Sequence, residues 1–227
     1  MADAVIAESV SQCLTNSIIN AKEESYPFLH WEVEGLLEES LRSKMLDIEL
    51  PAPINFQYDG TRAGDAKDRT KESTPPKRLF IGKQEIKKYP FFKGLKDALL
   101  EKEFLDLVKS KFSLDTKGLY LRLEYINDFD GFYLHPHKDI GEKKLTLLLY
   151  LNNGPEYMGT DFYDKDINLV KTIKFAANRG YAFVPGNDTW HGLEKKPITG
   201  RRVSLLINYV TFKTDWPVPD EKLHSCN

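Results

Sequence analysis

Residues 200–210 read G-R-R-V-S-L-L-I-N-Y-V, and the reading of this run decides the fold. β-Branched and aromatic residues behind a glycine turn make it a strand. Side chains on a strand alternate between faces, so Arg202, Ser204, Leu206 and Asn208 share one face. Arg201 points the other way, toward solvent or a surface acid. Burying a guanidinium with nothing to neutralise it is costly, so an Arg202 directed into a barrel implies an anionic partner.

Working back from this strand, the same character begins at Gly118. L-Y-L-R-L-E-Y-I (119–126), K-L-T-L-L-L-Y-L-N (144–152), T-D-F-Y-D (160–164), N-L-V-K-T-I-K (168–174) and G-Y-A-F-V-P (180–185) are short, rich in β-formers and separated by Gly, Asn or Pro turns. About eight such segments over roughly 95 residues predict an antiparallel sandwich or barrel. Upstream, the pattern is helical. Val5, Ile6, Val10, Cys13, Leu14, Ile18 and Ile19 recur on one helix face, Val33, Leu36, Leu37, Leu41 and Met45 repeat it, and a broad third face runs from Phe91 to Phe112. Residues 51–78, dense in Pro, Gly and charge, read as a loop. The chain is expected to form one domain: helices over 1–50, a loop or lid over 51–78, helical support over 79–117, the β core over 118–212 and a tail over 213–227.

With 227 residues the chain can bury a sizeable core without staples. Its 32 Lys and Arg against 34 Asp and Glu leave no global field to draw it onto nucleic acid or an anionic membrane, so neither is an expected partner. The two cysteines, Cys13 and Cys226, lie at opposite ends and indicate no disulfide framework. The acidic N-terminal stretch lacks the basic region of a secretory signal, and no run approaches the roughly 18 apolar residues of a span. A soluble protein in a reducing, cytoplasmic setting is the expectation.

Three of the five histidines fall in two short stretches, L-H-P-H-K-D (134–139) and T-W-H-G (189–192). His137 and Asp139 are two apart, so on an extended segment an imidazole and a carboxylate project from one face and can reach one ion. His191, at the end of a strand-like run, supplies a third ligand. Two histidines and a carboxylate on one side of an octahedral ion leave three positions open, as in non-haem Fe(II) oxygenases. His135 shares the strand face in principle, but only His137 stands one residue from Asp139 and Pro136 disturbs the alternation, so His135 is read as a neighbour of the site. An H-x-D tripeptide alone is most often a turn. Arg202 and Ser204 raise it, because a dicarboxylate cosubstrate would be held by the guanidinium fork and the hydroxyl.

Taken together, H-P-H-K-D, K-L-T-L-L-L-Y-L-N, G-T-D-F-Y-D, G-Y-A-F-V-P-G-N-D-T-W-H-G-L and G-R-R-V-S-L-L-I-N-Y-V resemble the successive core motifs of the Fe(II)/2-oxoglutarate-dependent dioxygenases, in their prolyl-hydroxylase-like branch. The resemblance covers roughly residues 118–212, and the ordered set is far more specific than any one motif. It implies a mainly β protein with flanking α-helices, built on a double-stranded β-helix: a jelly-roll, cupin-like core with iron inside its open end. His137, Asp139 and His191 match the iron ligands. Arg202 matches the residue that pairs with the distal carboxylate of 2-oxoglutarate, with Ser204 completing an R-x-S pattern. Tyr150 matches a tyrosine that contacts the same carboxylate, and Thr146 and Leu148 should line its pocket. Tyr125 is matched to a further cosubstrate tyrosine, with Asn127 its rival at nearby spacing.

The implied cofactors are Fe(II), 2-oxoglutarate and O2, with ascorbate a candidate reductant; the implied products are succinate, CO2 and a hydroxylated substrate. The presence of Asp139 favours hydroxylation over halogenation, whose practitioners in this family lack the carboxylate. A small-molecule substrate is expected, with a peptidyl hydroxylase and a metal-binding cupin as the alternatives. The six basic and three acidic residues of 62–78 allow an anionic substrate. Arg122 can face pocket or water, and Trp216 is expected to anchor the tail.

Overall fold

The computed structural model of the chain describes residues 2–50 and 73–219. Its element order is α1 (Ala2–Ile19), β1 (Lys22–Glu24), β2 (His30–Glu34), α2 (Glu39–Leu46), β3 (Lys77–Phe80), α3 (Lys83–Lys88), α4 (Phe92–Leu100), α5 (Lys102–Phe112), β4 (Tyr120–Phe129), β5 (Leu134–His137), β6 (Lys143–Tyr150), β7 (Asp161–Tyr163), β8 (Leu169–Thr172), β9 (Arg179–Phe183), β10 (His191–Leu193), β11 (Arg201–Val210) and β12 (Trp216–Pro217).

Two antiparallel sheets face each other. The larger has the order β1-β2-β9-β6-β11-β4, with β3 and β12 both paired to the outer edge of β4; the smaller has the order β5-β10-β7-β8. This is the jelly-roll expected from the sequence. Its central strand is β11, held between β4 and β6 with Ser204 opposite Ile126 on one side and Tyr150 on the other.

Strand alternation divides the core in two. Val203, Leu205, Ile207 and Tyr209 point out of the large sheet into a cluster with Leu121, Leu123 and Leu145 and with helix residues Leu14, Leu41, Leu95, Leu99 and Phe104. Leu206, Leu148 and Ile126 point the other way, into an aromatic layer with Phe162, Phe175, Tyr181 and Phe183 between the sheets. Both faces of β4, β6 and β11 are therefore buried, which explains their near-continuous apolar runs.

The helical expectation for the first 50 residues is corrected in part. Val33 lies in β2, whose H-W-E-V-E has a period of two with His30, Trp31 and Val33 buried, and which extends the large sheet beside β9. Gly35, at φ +71°, turns the chain out of that strand, so Leu41 and Met45 alone of that group sit on a helix, α2. The broad face over 91–112 becomes two helices, because Glu101 is extended (φ −65°, ψ 142°) and ends α4 as it begins α5.

The loop expected over 51–78 falls outside the described residues at 51–72. Its end is corrected, since Lys77 and Arg78 begin a strand that pairs with β4. Trp216, the expected anchor of the tail, bridges to Leu121 and donates its indole N–H to the Ile81 carbonyl at 2.8 Å.

The Tyr209 hydroxyl donates to the Leu99 carbonyl at 2.6 Å, satisfying one of the four acceptors that the C-terminus of α4 leaves open. Tyr209→Phe removes this bond from a fully buried site and is expected to lower unfolding stability by about 1–2 kcal/mol. A urea midpoint shifted at constant slope is the expected result, and an unshifted midpoint would contradict the role of this bond.

Candidate active site

His137 ends β5 and His191 begins β10, and the two are register partners across that pair, with ring centroids 4.3 Å apart. Asp139 follows two residues on. One ligand atom from each of His137, Asp139 and His191 can be chosen so that all lie within 4.8 Å of one another, and all three residues are buried. The strand is irregular here, as Pro136 suggested. His135 is exposed and meets the Tyr133 ring edge-on, while its carbonyl accepts from His137 Nδ1 at 2.9 Å. His191 Nδ1 bonds the Thr189 carbonyl in the same way at 2.9 Å. Each carbonyl fixes the tautomer that leaves Nε2 with its lone pair toward the centre. Burial, with His191 beside it, pushes the His137 imidazole down to about 3, so it stands neutral as a metal requires.

Gly192 lets β10 come this close to β5. A Cβ there would lie 2.5 Å from the Leu134 carbonyl oxygen, which gives the glycine of T-W-H-G its reason. Asp161, fully buried, then ties down the exit of β10: it accepts from Thr172 Oγ1 at 2.6 Å, Lys196 Nζ at 2.6 Å and the Glu194 N–H at 2.8 Å.

Asp139 is held from two sides. Thr146 Oγ1 donates to Oδ2 at 2.6 Å and in turn accepts from Asn208 Nδ2 at 3.2 Å, while Lys143 Nζ lies 2.5 Å from Oδ1. Burial pushes this carboxyl up, but the Lys143 ammonium and the two imidazoles outweigh it and hold the group well below the usual carboxylate range.

The cavity beside this cluster is walled by Ile126, Phe132, Leu134, Leu148, Leu193 and Leu206, and its far end carries Arg202, Ser204, Thr160 and Asp128. Arg202 faces inward and is buried, whereas Arg201 reaches the Leu46 carbonyl on the outer face, as the alternation required. The Ser204 hydroxyl is fully buried on the cavity wall and has no hydrogen-bond partner among the described residues. Tyr150 lies beneath: its hydroxyl donates to Thr160 Oγ1 at 3.0 Å and accepts from the Thr160 N–H at 2.7 Å, with the Arg202 guanidinium 5.1 Å from its ring centre. It supports Thr160 and Arg202 from behind and is not itself a wall of the cavity.

Two expectations are corrected. Tyr125 and its rival Asn127 lie on the opposite face of β4 from the cavity; Tyr125 pairs with Leu205 and packs in the helix-side cluster, while Ile126 and Asp128 take the inward positions. The anionic partner of Arg202 is, in the first place, internal. Its Nη1 lies 2.5 Å from Asp128 Oδ2, its Nε donates to the Met158 carbonyl at 2.7 Å and its Nη2 to Thr160 Oγ1 at 3.1 Å. Arg122 faces neither the iron-side cavity nor bulk water. It pairs with Glu124 at 2.7 Å between the rings of Phe80 and Phe212, 5.0 and 5.6 Å from their centres.

Sequence reasoning missed Asp128, Lys143, Thr160 and Tyr181, all on the cavity wall. Lys143 carried a weak signal, four residues after Asp139; the others become neighbours only when distant strands pair.

The cluster has the donor set of a facial Fe(II) site: two imidazoles, one carboxylate and an open cavity on the remaining side. An orphaned hydroxyl and a guanidinium at the far end can receive a carboxylate, though Asp128 already stands there.

No protein-family model matches the chain, and no curated protein matches its sequence. Solved structures do share its fold. A prolyl hydroxylase from Trichoplax adhaerens, in complex with a hypoxia inducible factor oxygen degradation domain peptide fragment, aligns at TM-score 0.57 and 14% identity over 90% of each chain. HygX from Streptomyces hygroscopicus, with nickel and 2-oxoglutarate bound, aligns at TM-score 0.51 and 15% identity over 82% of this chain and 85% of that one. The non-heme alpha ketoglutarate dependent epimerase SnoN, from nogalamycin biosynthesis, aligns at 0.52 and 12% over 89% and 84%. The fold is thus one that 2-oxoglutarate oxygenases use; at these identities the reaction must be argued from the site. No helix of the described residues is long and apolar enough to cross a membrane.

Partners of a metal-binding side chain typically contribute 10- to 100-fold in affinity, so Thr146→Val, which frees the Asp139 carboxylate, is expected to weaken Fe(II) or Co(II) binding by roughly that factor. Asp139→Ala should abolish it and His135→Ala leave it unchanged. Anaerobic metal titration reads all three, and an effect of His135→Ala equal to that of His137→Ala would overturn the ligand assignment.

Proposed function

We propose that the chain is an Fe(II)- and 2-oxoglutarate-dependent dioxygenase that hydroxylates a small molecule. The observation that carries this reading is the pairing of ends in one cavity: a buried His-Asp-His cluster at one, Arg202 with the orphaned Ser204 hydroxyl at the other. His137 and His191 would hold the metal through Nε2 and Asp139 through a carboxylate oxygen, kept in place by Thr146, Asn208 and Lys143. Arg202 and Ser204 would take the distal carboxylate of 2-oxoglutarate, and Thr160, braced by Tyr150, would fix the guanidinium. The apolar walls exclude water, which strengthens every charge interaction inside. Bound together, Fe(II) and 2-oxoglutarate supply the oxidising chemistry, in which 2-oxoglutarate and O2 yield succinate and CO2 and one oxygen atom enters a substrate C–H bond.

HygX, with 2-oxoglutarate bound, supports the cosubstrate, and SnoN, from nogalamycin biosynthesis, supports a small substrate such as an amino acid, sugar derivative or natural-product scaffold. The peptide-bound Trichoplax enzyme supports a peptidyl one, so the substrate screen includes proline-containing peptides. A second reading, a metal-binding cupin without a cosubstrate, is favoured by one observation: Asp128 already neutralises Arg202.

Anaerobic addition of 2-oxoglutarate to the Fe(II)-loaded protein separates the two, because the oxygenase should develop a charge-transfer absorbance and, in air with a substrate, release succinate. Its absence at saturating 2-oxoglutarate would sink the oxygenase. Ser204→Ala disturbs no ion pair, and is expected to raise the KM for 2-oxoglutarate about three- to tenfold, the worth of one hydrogen bond, with kcat little changed.

A further inference from the structure

The far end of the cavity holds one more charge than a cosubstrate pocket of this design needs. Asp128 is the register partner of Arg202 across β4 and β11, is 1% exposed, and lies 2.5 Å from the guanidinium through Oδ2. Its other oxygen, Oδ1, has no hydrogen-bond partner among the described residues. Both Asp128 and Arg202 line the cavity. A dicarboxylate that reaches Arg202 must bring a second carboxylate against the first. Two carboxylates brought against the Arg202 guanidinium away from water, with the neighbouring Arg78 engaged by Glu124, do not both stay ionised; one takes up a proton.

We propose that Asp128 is a positioning residue for the cosubstrate and binds it as a carboxylic acid: 2-oxoglutarate enters with uptake of one proton onto Asp128, which then donates a hydrogen bond to the distal carboxylate beside the Arg202 fork. The proton comes from solvent, no covalent bond changes, and the pocket's net charge is the same before and after the distal carboxylate arrives. The inference rests on 2-oxoglutarate being the cosubstrate, as proposed above.

The charged groups that face Asp128 are Arg202 on β11 and Arg78 on β3; Tyr150 and Tyr181 stand beyond the guanidinium. Arg78, also on the cavity wall, is paired with Glu124, 3.2 Å from its Nη1, on which Arg122 converges as well. Burial pushes the Asp128 carboxyl up against the pull of Arg202 and Arg78, so the group is poised to accept a proton once its share of the guanidinium falls. At neutral pH 2-oxoglutarate itself is fully ionised, which leaves Asp128 as the group that changes state.

The sign follows from linkage. A ligand that binds with proton uptake binds more weakly as pH rises, by up to about tenfold in Kd per pH unit per proton. Calorimetric titration of 2-oxoglutarate into the anaerobic Fe(II)-loaded protein, in two buffers of different ionisation enthalpy, counts the protons directly. The expected count is about one for the natural chain, with Kd rising across pH 6.5 to 8.5. Asp128→Asn keeps the shape and cannot titrate, so its Kd should be flat with pH, its proton count zero, and its affinity at pH 8 higher than that of the natural chain.

A natural chain that binds 2-oxoglutarate without proton uptake would overturn the proposal and point to Arg78 as the group that neutralises Asp128. So would a proton count retained in Asp128→Asn. The count on the natural chain is decisive even where the variant fails to fold. Failure of the Fe(II)-loaded natural chain to bind 2-oxoglutarate at any of these pH values would remove both this proposal and the cosubstrate assignment, whereas binding with a flat pH profile removes this proposal alone.

Discussion

Everything at the site depends on the pairing of β11 between β4 and β6. Because the side-chain period of a strand is two, this single register sends Arg202, Ser204, Leu206 and Asn208 into the cavity and Val203, Leu205, Ile207 and Tyr209 into the helices. A slip by one residue would send Arg202 among the helix-side leucines and line the cavity with Val203, Leu205 and Ile207. The register is held by burial on both faces: the helices α1, α2, α4 and α5 require an unbroken apolar outer face, and the inter-sheet layer requires Leu206 with Leu148 and Ile126.

On that frame the site is built as two polar ends of one apolar cavity. At one end backbone carbonyls orient two imidazoles, and a relay from Asn208 through Thr146 holds a carboxylate. At the other, Thr160 and the Met158 carbonyl hold a guanidinium in place. The side chains that would touch a ligand are thus held by hydrogen-bonded neighbours, which keeps them in one geometry at little reorganisation cost. The exceptions are instructive. Ser204 Oγ and Asp128 Oδ1 are buried without partners among the described residues, and both border the place where a carboxylate would sit. Other buried polar atoms among the described residues also lack partners, but these two stand together on the cavity wall, where an incoming polar group would complete both.

The sequence made the strands, the ligand set and the face of Arg202 legible, because each depends on local spacing. H-x-D on an extended segment, a histidine before a glycine and R-x-S on a strand are all set by the period of two. The choice of His137 over His135 was also local, since Pro136 and the distance to Asp139 both bear on it. Less was legible where two signals overlapped. The run from Val33 to Met45 mixes a strand and a helix around Gly35, and apolar residues at helical spacing hid the strand. Tyr125 was matched to a ligand contact through the family resemblance, but the unbroken register of β4 pairs it with the outward-facing Leu205, so Ile126 and Asp128 face inward instead.

What the sequence determined by itself was the antiparallel β core, with the jelly-roll implied by its ordered motifs, the His-Asp-His set and the inward direction of Arg202, because strand periodicity and residue chemistry are properties of short stretches. What only the tertiary structure decided was who meets Arg202. Asp128 lies 74 residues away, and no local pattern joins the two. The same is true of Thr160, brought under the guanidinium by a turn before β7, and of the Asn208, Thr146 and Asp139 relay across one strand pair and a loop. Charge compensation in a buried site is a property of pairs, and pairs between strands exist only once the register is formed.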